Sequence, residues 1–492
     1  MNLITRSYNT APSRRRARAR HLAAALLLAA CSGSTEETET AASATDGDES
    51  TGTSDASSDA SAGSSTSSGD ETATSSTSET TGEPTEDAAI TYHRDVRPVL
   101  AQRCLQCHAD GKIAPFPLTT YDEVFELREL VALTVLNRQM PPWLAAPDCN
   151  NYEGDPTLPQ ETIDMIEAWV ADGAPEGDPG DFVEPPAPPS EELPRVDVEL
   201  TIPEPYTPQG TTDDYRCFIL DWPEQGDAYV TGFRAVPGAI EEVHHAIAFA
   251  IPPSKLPEYE ALDAASPGSG YECFGGPGGE INDPEDAGIW LGVWVPGAAP
   301  ALYPEGTGLR IEPGSKVVLQ LHYNIPPGGA VPDTSTVQFR IEPTVAREAF
   351  MMLWADIAWL QGDMQIPAGA PSTTHVWEFD PTSIMSFLTD IIPSNVPIEL
   401  HSAAHHMHTL GVRGQHSIRR AVGDDTCLLD IPRWDFNWQG SFKFSQPITF
   451  YPTDRLRLEC EYDNSGGAGD VNWGDGTSDE MCLGVYYVTE VE

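Results

Sequence analysis

The chain has 492 residues and a formal net charge of −49 at pH 7, because 76 acidic residues stand against 27 lysines and arginines. This excess of negative charge would repel nucleic acid and polyanionic substrates, so it argues against both as partners. The length is sufficient for several domains.

The N-terminal segment predicts export and lipid anchoring. Five arginines between positions 14 and 20 precede nine apolar residues at 22–30, a run too short to span a bilayer and typical of a signal peptide. Residues 28–31 read LAAC, which matches a bacterial lipobox, so 1–31 are predicted to be the signal peptide and lipobox, with Cys31 lipidated. Ser32 then favours an outer membrane or cell-surface position in the cell envelope. Cleavage by an ordinary signal peptidase is the competing interpretation.

Residues 32–88 contain 14 acidic residues, no lysine or arginine, and mostly Ser, Thr, Ala and Gly otherwise. A segment so poor in large apolar groups cannot offset the entropy lost on ordering. It is therefore predicted to be a disordered tether that holds the folded part away from the membrane.

A helical pattern of apolar residues within 95–104 and 162–170 predicts a small all-α domain at 89–178. In this domain Cys104, Cys107 and His108 form the C-x-x-C-H arrangement that attaches haem c through two thioethers, with the histidine as an axial ligand of the iron. The sequence therefore predicts a cytochrome c domain. A zinc or disulfide C-x-x-C beside an unrelated histidine is the competing interpretation.

Met140 is predicted to be the second axial ligand, because the prolines at 141–142 fix an extended backbone after it. Met165 is an alternative ligand, although its place on the apolar face of a helix is typical of a core residue. His93 is a further alternative, for which capping or a surface position is the simpler interpretation.

Proline and glutamate crowd residues 179–208, which are predicted to be a semi-rigid linker. The rest of the chain has short runs rich in aromatic and β-branched residues between Gly, Pro, Asn and Asp, which is typical of antiparallel β-sandwiches. Its length favours two jelly-roll-like sandwiches, at 209–345 and 346–492. The predicted fold is thus multidomain: a small all-α cytochrome c domain followed by two all-β sandwiches. Examples of the runs are 228–233, 316–323, 338–341 and 483–488.

Six cysteines remain after Cys31 and the haem pair, an even number that suits disulfides in an oxidising compartment and allows fifteen pairings. They are Cys149, Cys217, Cys273, Cys427, Cys460 and Cys482.

Five histidines and one methionine between positions 244 and 481 form a set that suits copper. On a strand, His406 and His408 point to one face and can chelate a metal together. His244 and His245 point to opposite faces, unless a bulge or the use of different ring nitrogens brings them together. The remaining members of the set are His322 and Met481.

Four sequence blocks around these residues, VHH at 243–245, LQLHY at 319–323, HMHTLG at 406–411 and TSDEMC at 477–482, resemble the type II copper, ascorbate-dependent monooxygenases. That family includes peptidylglycine α-hydroxylating monooxygenase and dopamine β-monooxygenase, and the resemblance covers about residues 196–492. It implies two coppers in each chain. An electron-transfer copper would be held by His244, His245 and His322, and an oxygen-activating, catalytic copper by His406, His408 and Met481.

The resemblance also implies a disulfide between Cys460 and Cys482, and Cys217 is a candidate partner of Cys273. The chain departs from the family pattern at Ala404, where the peptide-amidating enzyme has an arginine that binds the substrate carboxylate. A tyrosine expected shortly after the methionine is replaced by Val485. A peptide C-terminus is therefore not the expected substrate.

Other residues near the blocks have two interpretations each. The aromatic residues at 434, 436, 438 and 442 either line an apolar substrate pocket or pack in a core. His401 and His405 are extra histidines, expected on the surface or supporting a ligand. Asn324, Asp479 and Glu480 are expected to support ligands through hydrogen bonds.

The predicted function is copper-dependent hydroxylation of a C–H bond in a small-molecule or peptide-like organic substrate by O2. An external donor would supply electrons through the fused haem c, and the lipid anchor would attach the enzyme to a membrane. The alternative is a haem c and copper electron-transfer or copper-binding lipoprotein without turnover. A copper sensor is a third interpretation.

Overall fold

The structure is a computed structural model, and its described part is mostly β-sheet with a few helices. None of the helices in that part is long and apolar enough to cross a bilayer. The predicted signal peptide, the lipidation site Cys31 and the tether at 32–88 lie outside the described residues. The described residues are 89–210, 212–273, 276–278, 288–474 and 476–491.

A helical region comes first, with a core around the fully buried Trp169. Its second helix starts with a capping box, in which the Thr120 side chain accepts from the backbone of Glu123 and the Glu123 side chain binds the backbone of Thr120. The elements are a π-helical turn Tyr92–Val96, α1 Arg97–Arg103, α2 Tyr121–Leu136, α3 Gln160–Ala171 and a 3-10 turn Pro179–Asp181.

The first sandwich encloses a core that includes Phe218, Phe233 and Phe339. One of its sheets has the order β5-β2-β9-β4-β6, and the opposite sheet contains β1-β10-β3-β8, with β7 paired to β3. Helix α4, Leu256–Ala265, connects β4 to β5. The strands are β1 Val198–Thr201, β2 Asp213–Asp221, β3 Ala228–Val236, β4 Val243–Ile251, β5 Tyr271–Glu272, β6 Ile289–Trp294, β7 Ala301–Leu302, β8 Thr307–Ile311, β9 Lys316–Asn324 and β10 Thr336–Glu342.

The second sandwich packs the strands β11-β20-β14-β17 against β13-β18-β15-β16, and β12 pairs with β19 beside them. Its helical elements are α5 Met385–Leu388 and the turns Trp359–Asp363 and Pro381–Ile384. The strands are β11 Arg347–Trp354, β12 Gln365–Ile366, β13 Thr373–Phe379, β14 Ile398–His406, β15 Gly411–Arg419, β16 Thr426–Ile431, β17 Ser441–Phe450, β18 Arg455–Tyr462, β19 Val471–Asn472 and β20 Leu483–Glu490.

The two sandwiches share one nine-stranded sheet, because β8 pairs in parallel with β11. This parallel pair departs from the predicted all-antiparallel arrangement. The predicted division near 345 falls between β10 and β11, but the apolar packing continues across it. Ala349 of β11 and Tyr487 of β20 are both buried in the core of the first sandwich.

The first strand lies inside the segment predicted to be a linker, 179–208. Val198 of β1 is buried and opposite Phe339, and Leu200 is opposite Val337. The alternation of these apolar residues with Glu199 and Thr201 is a strand pattern, so the first sandwich begins about ten residues earlier than the composition suggested.

Residues 143–153 of the predicted cytochrome domain pack on the second sandwich rather than on the helical core. Leu144 and Ala145 belong to the core of the second sandwich. The backbone N–H of Ala146 donates to the carbonyl of Asp430 at 2.8 Å. A disulfide joins Cys149 to Cys427, which are 278 positions apart in sequence. The helical region is therefore fixed to the second sandwich by apolar contacts, hydrogen bonds and a covalent bond.

The other disulfides lie within single sandwiches. Cys217 pairs with Cys273, and Cys460 pairs with Cys482, the pairing that the family resemblance implies. Cys104 and Cys107 have free thiols.

The Cys149–Cys427 bond gives a direct test of this packing. Proteolytic cleavage within 182–196 should leave the two fragments of the oxidised wild type joined, and reductant should separate them. The two fragments of the cleaved Cys149→Ser/Cys427→Ser variant should separate without reductant. This variant should also lose about 2–4 kcal/mol of stability, because the bond closes a long loop.

The matched control is Cys217→Ser/Cys273→Ser, which should keep the fragments joined. Non-reducing electrophoresis checks all three proteins. Separation of the unreduced wild type would contradict the assignment.

Candidate metal centres

Three histidines of the first sandwich meet where β4 pairs with β9. His245 is opposite His322 and Val243 is opposite Tyr323, so His244 is an extra residue in the pairing. This irregularity is a bulge, one of the two arrangements expected for adjacent histidines. One ring nitrogen from each histidine lies within 4.8 Å of those of the other two. The Nδ1 atoms of His322 and His245 are 3.4 Å apart.

His322 is held in one orientation by its neighbours. Its Nε2–H donates to Asp213 Oδ1 at 2.9 Å, and its ring stacks on Tyr215 with centroids 4.0 Å apart. Burial raises the pKa of Asp213, but hydrogen bonds from His322, Thr477 and Asn324 outweigh it and hold this pKa below its usual range. Because Nε2 carries the proton, Nδ1 of His322 keeps its lone pair on the side of the other two histidines.

His244 and His245 are kept neutral chiefly by burial. Burial lowers the pKa of His244 to about 4 and that of His245 well below its usual range. Nδ1 of His244 is buried and has no hydrogen-bond partner within the described part of the chain. Since buried polar atoms are rarely left without a partner, this nitrogen fits a metal ligand. Three imidazoles suit copper.

His406 and His408 end strand β14 and begin the turn after it, with ring centroids 5.0 Å apart. The Nδ1–H of His406 donates to Gln439 Oε1 at 2.6 Å, and the Nδ1–H of His408 donates to the carbonyl of Asp479 at 3.1 Å. The amide oxygen of Gln439 and the carbonyl oxygen of Asp479 carry no hydrogen, so the histidine nitrogen that faces each of them must be the N–H donor. Each histidine therefore has its proton on Nδ1, and its Nε2 keeps its lone pair. Burial is the main cause that lowers the pKa of His406 to about 3 and that of His408 to about 4.

Glu480 links Met481 to this histidine pair. One carboxylate oxygen accepts the backbone N–H of His408 at 2.8 Å and that of Met481 at 3.3 Å, while the other accepts from Leu410 at 2.6 Å. Burial raises the pKa of Glu480 to about 7, although these hydrogen bonds favour the carboxylate. Met481 is itself buried. Glu480 thus ties the backbone of Met481 to that of His408. Two imidazoles and a thioether are a donor set that suits Cu(I).

Phe436 contacts one histidine of each set. Its ring stacks on His244 with centroids 4.8 Å apart and meets His408 nearly at right angles at 6.0 Å. The ring centroids of His244 and His408 are therefore no farther apart than the sum of these distances. The other predicted pocket aromatics differ in burial: Trp434 and Phe442 are core residues, whereas Trp438 is half-buried.

The predicted haem-attachment residues follow α1. The backbone N–H of His108 donates to the carbonyl of Cys104 at 2.8 Å, which keeps the motif in a helical turn. The Nδ1–H of His108 donates to the carbonyl of Phe116 at 3.1 Å. This bond leaves Nε2 with its lone pair, as an axial ligand of haem iron requires. Two free thiols in one turn complete a set that fits haem attachment.

The alternatives for the second axial ligand lie in different surroundings. Met140 is half-buried just after α2 and remains the predicted ligand. Met165 packs against the helical core. His93 is buried and lies 3.4 Å from Glu176, which corrects the expectation of a surface position.

The two extra histidines of β14 are buried, so a surface position is wrong for both. Nδ1 of His405 lies 2.7 Å from Nε2 of His416, and His416 also bonds the hydroxyl of Tyr486. His401 lies 2.9 Å from the Thr489 hydroxyl.

Sequence reasoning missed Asp213, Gln439 and His416. Each acts from a different strand or loop than the histidine it contacts, so no local motif marks it. The expected supporting roles of Asp479 and Glu480 are present in the structure, the former through its backbone carbonyl. Asn324 interacts with Asp213 and helps to lower its pKa.

Residues 358–492 match the model for the C-terminal domain of the copper type II ascorbate-dependent monooxygenases. The matched span includes His406, His408 and Met481, but neither the first sandwich nor the helical region. The match indicates a copper-dependent oxidoreductase. No curated protein matches the chain.

Several solved structures are similar over part of the chain. The VP2 subviral particle of infectious bursal disease virus is 11% identical over 61% of this chain and 73% of its own, with a TM-score of 0.15. The major capsid protein P2 of bacteriophage PM2 is 11% identical over 60% and 97%, with a TM-score of 0.23. A Paenibacillus xanthan lyase is 11% identical over 63% and 28%, with a TM-score of 0.16. These TM-scores are too low to bear on fold or function.

The contact between Asp213 and His322 predicts the effect of a mutation. Asp213→Ala should lower copper affinity at the three-histidine centre by about 10- to 100-fold, because the acceptor that fixes the ring is lost. Competition with a copper chelator, followed by electron paramagnetic resonance, measures this affinity.

Asp221→Ala is a matched control, since Asp221 is exposed at the far end of the same strand and contacts Lys316 instead. An Asp213→Ala protein that folds and binds copper as tightly as the control would refute the supporting role.

Proposed function

We propose that this protein is a copper-dependent monooxygenase that hydroxylates a C–H bond of an organic substrate with O2, using electrons delivered through its own haem c. The observation that carries the proposal is that two histidine sets, one from each sandwich, both contact Phe436. The family match over 358–492 supports the oxygen-activating half of this arrangement.

The two sets differ in donor chemistry, which supports different roles. His244, His245 and His322 offer three imidazoles, which bind copper in both oxidation states and suit electron transfer. His406 and His408 are joined by the thioether of Met481, a soft ligand that favours Cu(I). Copper, when bound, supplies the one-electron redox chemistry that reaction with O2 requires.

The reaction consumes two electrons and two protons for each O2, because one oxygen atom enters the C–H bond and the other leaves as water. Haem c, when attached at Cys104 and Cys107, supplies electrons singly. The three-histidine centre would therefore hold one electron until the second arrives.

The surroundings of His406 favour an uncharged, apolar substrate. Strand pairing places Ala404 opposite Val485 and His406 opposite Leu483. Ala404 lies two residues from His406 and so projects from the same face of β14. The two positions where this chain departs from the family pattern are thus paired neighbours, and neither offers a charge for a carboxylate.

We also propose that the protein works at the cell envelope, attached through lipid on Cys31. The lipobox and the acidic tether support this location.

Metal analysis and oxygen uptake test the proposed reaction. The mature protein should contain two coppers and one iron per chain, and it should consume O2 when its haem is reduced in the presence of a substrate. Met481→Leu should slow sustained O2 uptake by about 100-fold or more, or about 2.7 kcal/mol in the barrier. The Met481→Leu protein should keep the haem spectrum of the wild type and the copper that is bound by the three histidines.

Met385→Leu is the control, because Met385 is a fully buried methionine in the core of the same sandwich. Iron without stoichiometric copper would contradict the proposal. Full copper loading with no sustained O2 uptake would instead indicate an electron-transfer protein.

A further inference from the structure

One short loop contacts both histidine sets and approaches the haem-attachment motif. This loop, residues 436–439, lies within the connection from β16 to β17. Phe436 stacks on His244, and Gln439 accepts a hydrogen bond from His406. The loop is held in shape by hydrogen bonds from the Trp438 backbone to Asp435 and from the Gln439 side chain to the Phe436 carbonyl.

Trp438 brings this loop close to Cys107. A Cβ atom built on Gly297 would lie 3.8 Å from Cys107 Sγ and 3.9 Å from the Trp438 ring. The sulfur and the indole are therefore separated by less than the sum of these distances. Gly297 has φ +78°, a left-handed conformation that favours glycine, and its missing side chain leaves the approach open.

The contact belongs to a fixed interface. Trp143 of the helical region packs edge-on against Phe442 with ring centroids 4.8 Å apart, and Tyr152 packs on the same ring at 5.6 Å. The Cys149–Cys427 disulfide covalently links the helical region to the second sandwich close to these rings. Cys107 is thus held near Trp438 by a packed aromatic cluster and a covalent bond.

We infer that Trp438 is the residue through which electrons pass from the haem to the copper centres, by way of the 436–439 loop. The inference rests on the proposed function. One electron leaves a ferrous haem, which becomes ferric, and reduces a cupric ion to a cuprous ion. No covalent bond forms or breaks in this step, and no further reactant is needed. Trp438 acts as a positioning residue, because its polarisable indole ring fills space between the haem and the copper centres.

The test measures haem oxidation directly rather than hydroxylation. Protein that carries ferric haem and Cu(II) is placed under argon, and a flash-excited soluble dye delivers less than one electron per haem. The haem absorption band then reports the return to ferric haem, and loss of the Cu(II) resonance signal reports where the electron goes. Copper-free protein should show no fast return.

Trp438→Leu should slow the return to ferric haem by about tenfold or more, which corresponds to about 1.4 kcal/mol in the barrier. Trp438→Phe, which keeps an aromatic ring, should retain most of the rate. Trp377→Leu is the matched control, because Trp377 is also a half-buried tryptophan packed on the core of the second sandwich. Haem content, copper content and the reduction potential of the haem should be unchanged in all three variants.

A wild-type rate in Trp438→Leu, with both metals bound, would overturn the inference and leave the proposed function intact. Equal slowing in Trp377→Leu would also overturn it, because the effect would then reflect packing alone. Absence of a haem band or of bound copper in the wild type would instead refute the proposed function.

Discussion

Imidazoles act as metal ligands only when one nitrogen is unprotonated and correctly aimed, and this protein meets that constraint in the same way four times. Asp213, Gln439, and the carbonyls of Asp479 and Phe116 each accept the N–H of one histidine. In each case the acceptor selects the tautomer and restricts rotation of the ring. Burial adds to the effect where it lowers a histidine pKa, because a neutral ring keeps its lone pair.

The positions of these rings relative to one another depend on the shared sheet and the docked helical region. The parallel pairing of β8 with β11 joins the two sandwiches, and Tyr487 from the last strand is buried in the first core. Packed cores deform little, so the bulge at His244 and the end of β14 remain in a fixed relation. Phe436 can therefore contact a histidine from each sandwich.

Much of the architecture could be predicted from the sequence because its signals are local. Alternation predicted the long strands. The H-x-H pattern predicted one face of a strand for His406 and His408, and their rings are close together although His408 lies beyond the end of β14. The bulge at His244 could be anticipated only as one of two arrangements, because register depends on the partner strand. Helix α2 was not singled out, although the capping box at Thr120 and Glu123 marks its start.

Features that depend on distant partners could not be predicted. The Cys149–Cys427 pair was one choice among fifteen pairings, and nothing in the composition of 143–153 separates it from the helical domain around it. The aromatic residues near 438 left pocket and core interpretations open for the same reason. Their partners come from another part of the chain, as the contact of Trp143 with Phe442 shows.

Residues 140–153 connect the predicted haem ligand with the interface. Met140, the predicted distal ligand, is three residues before Trp143, and the prolines between them allow the backbone little freedom. Trp143 is in turn fixed against Phe442 of the second sandwich. If Met140 binds the iron of the proposed haem, a change there that moved Met140 would be resisted by the same contacts that hold Cys107 near Trp438. This arrangement suits the proposed electron transfer, since a rigid interface keeps the separation between donor and acceptor constant.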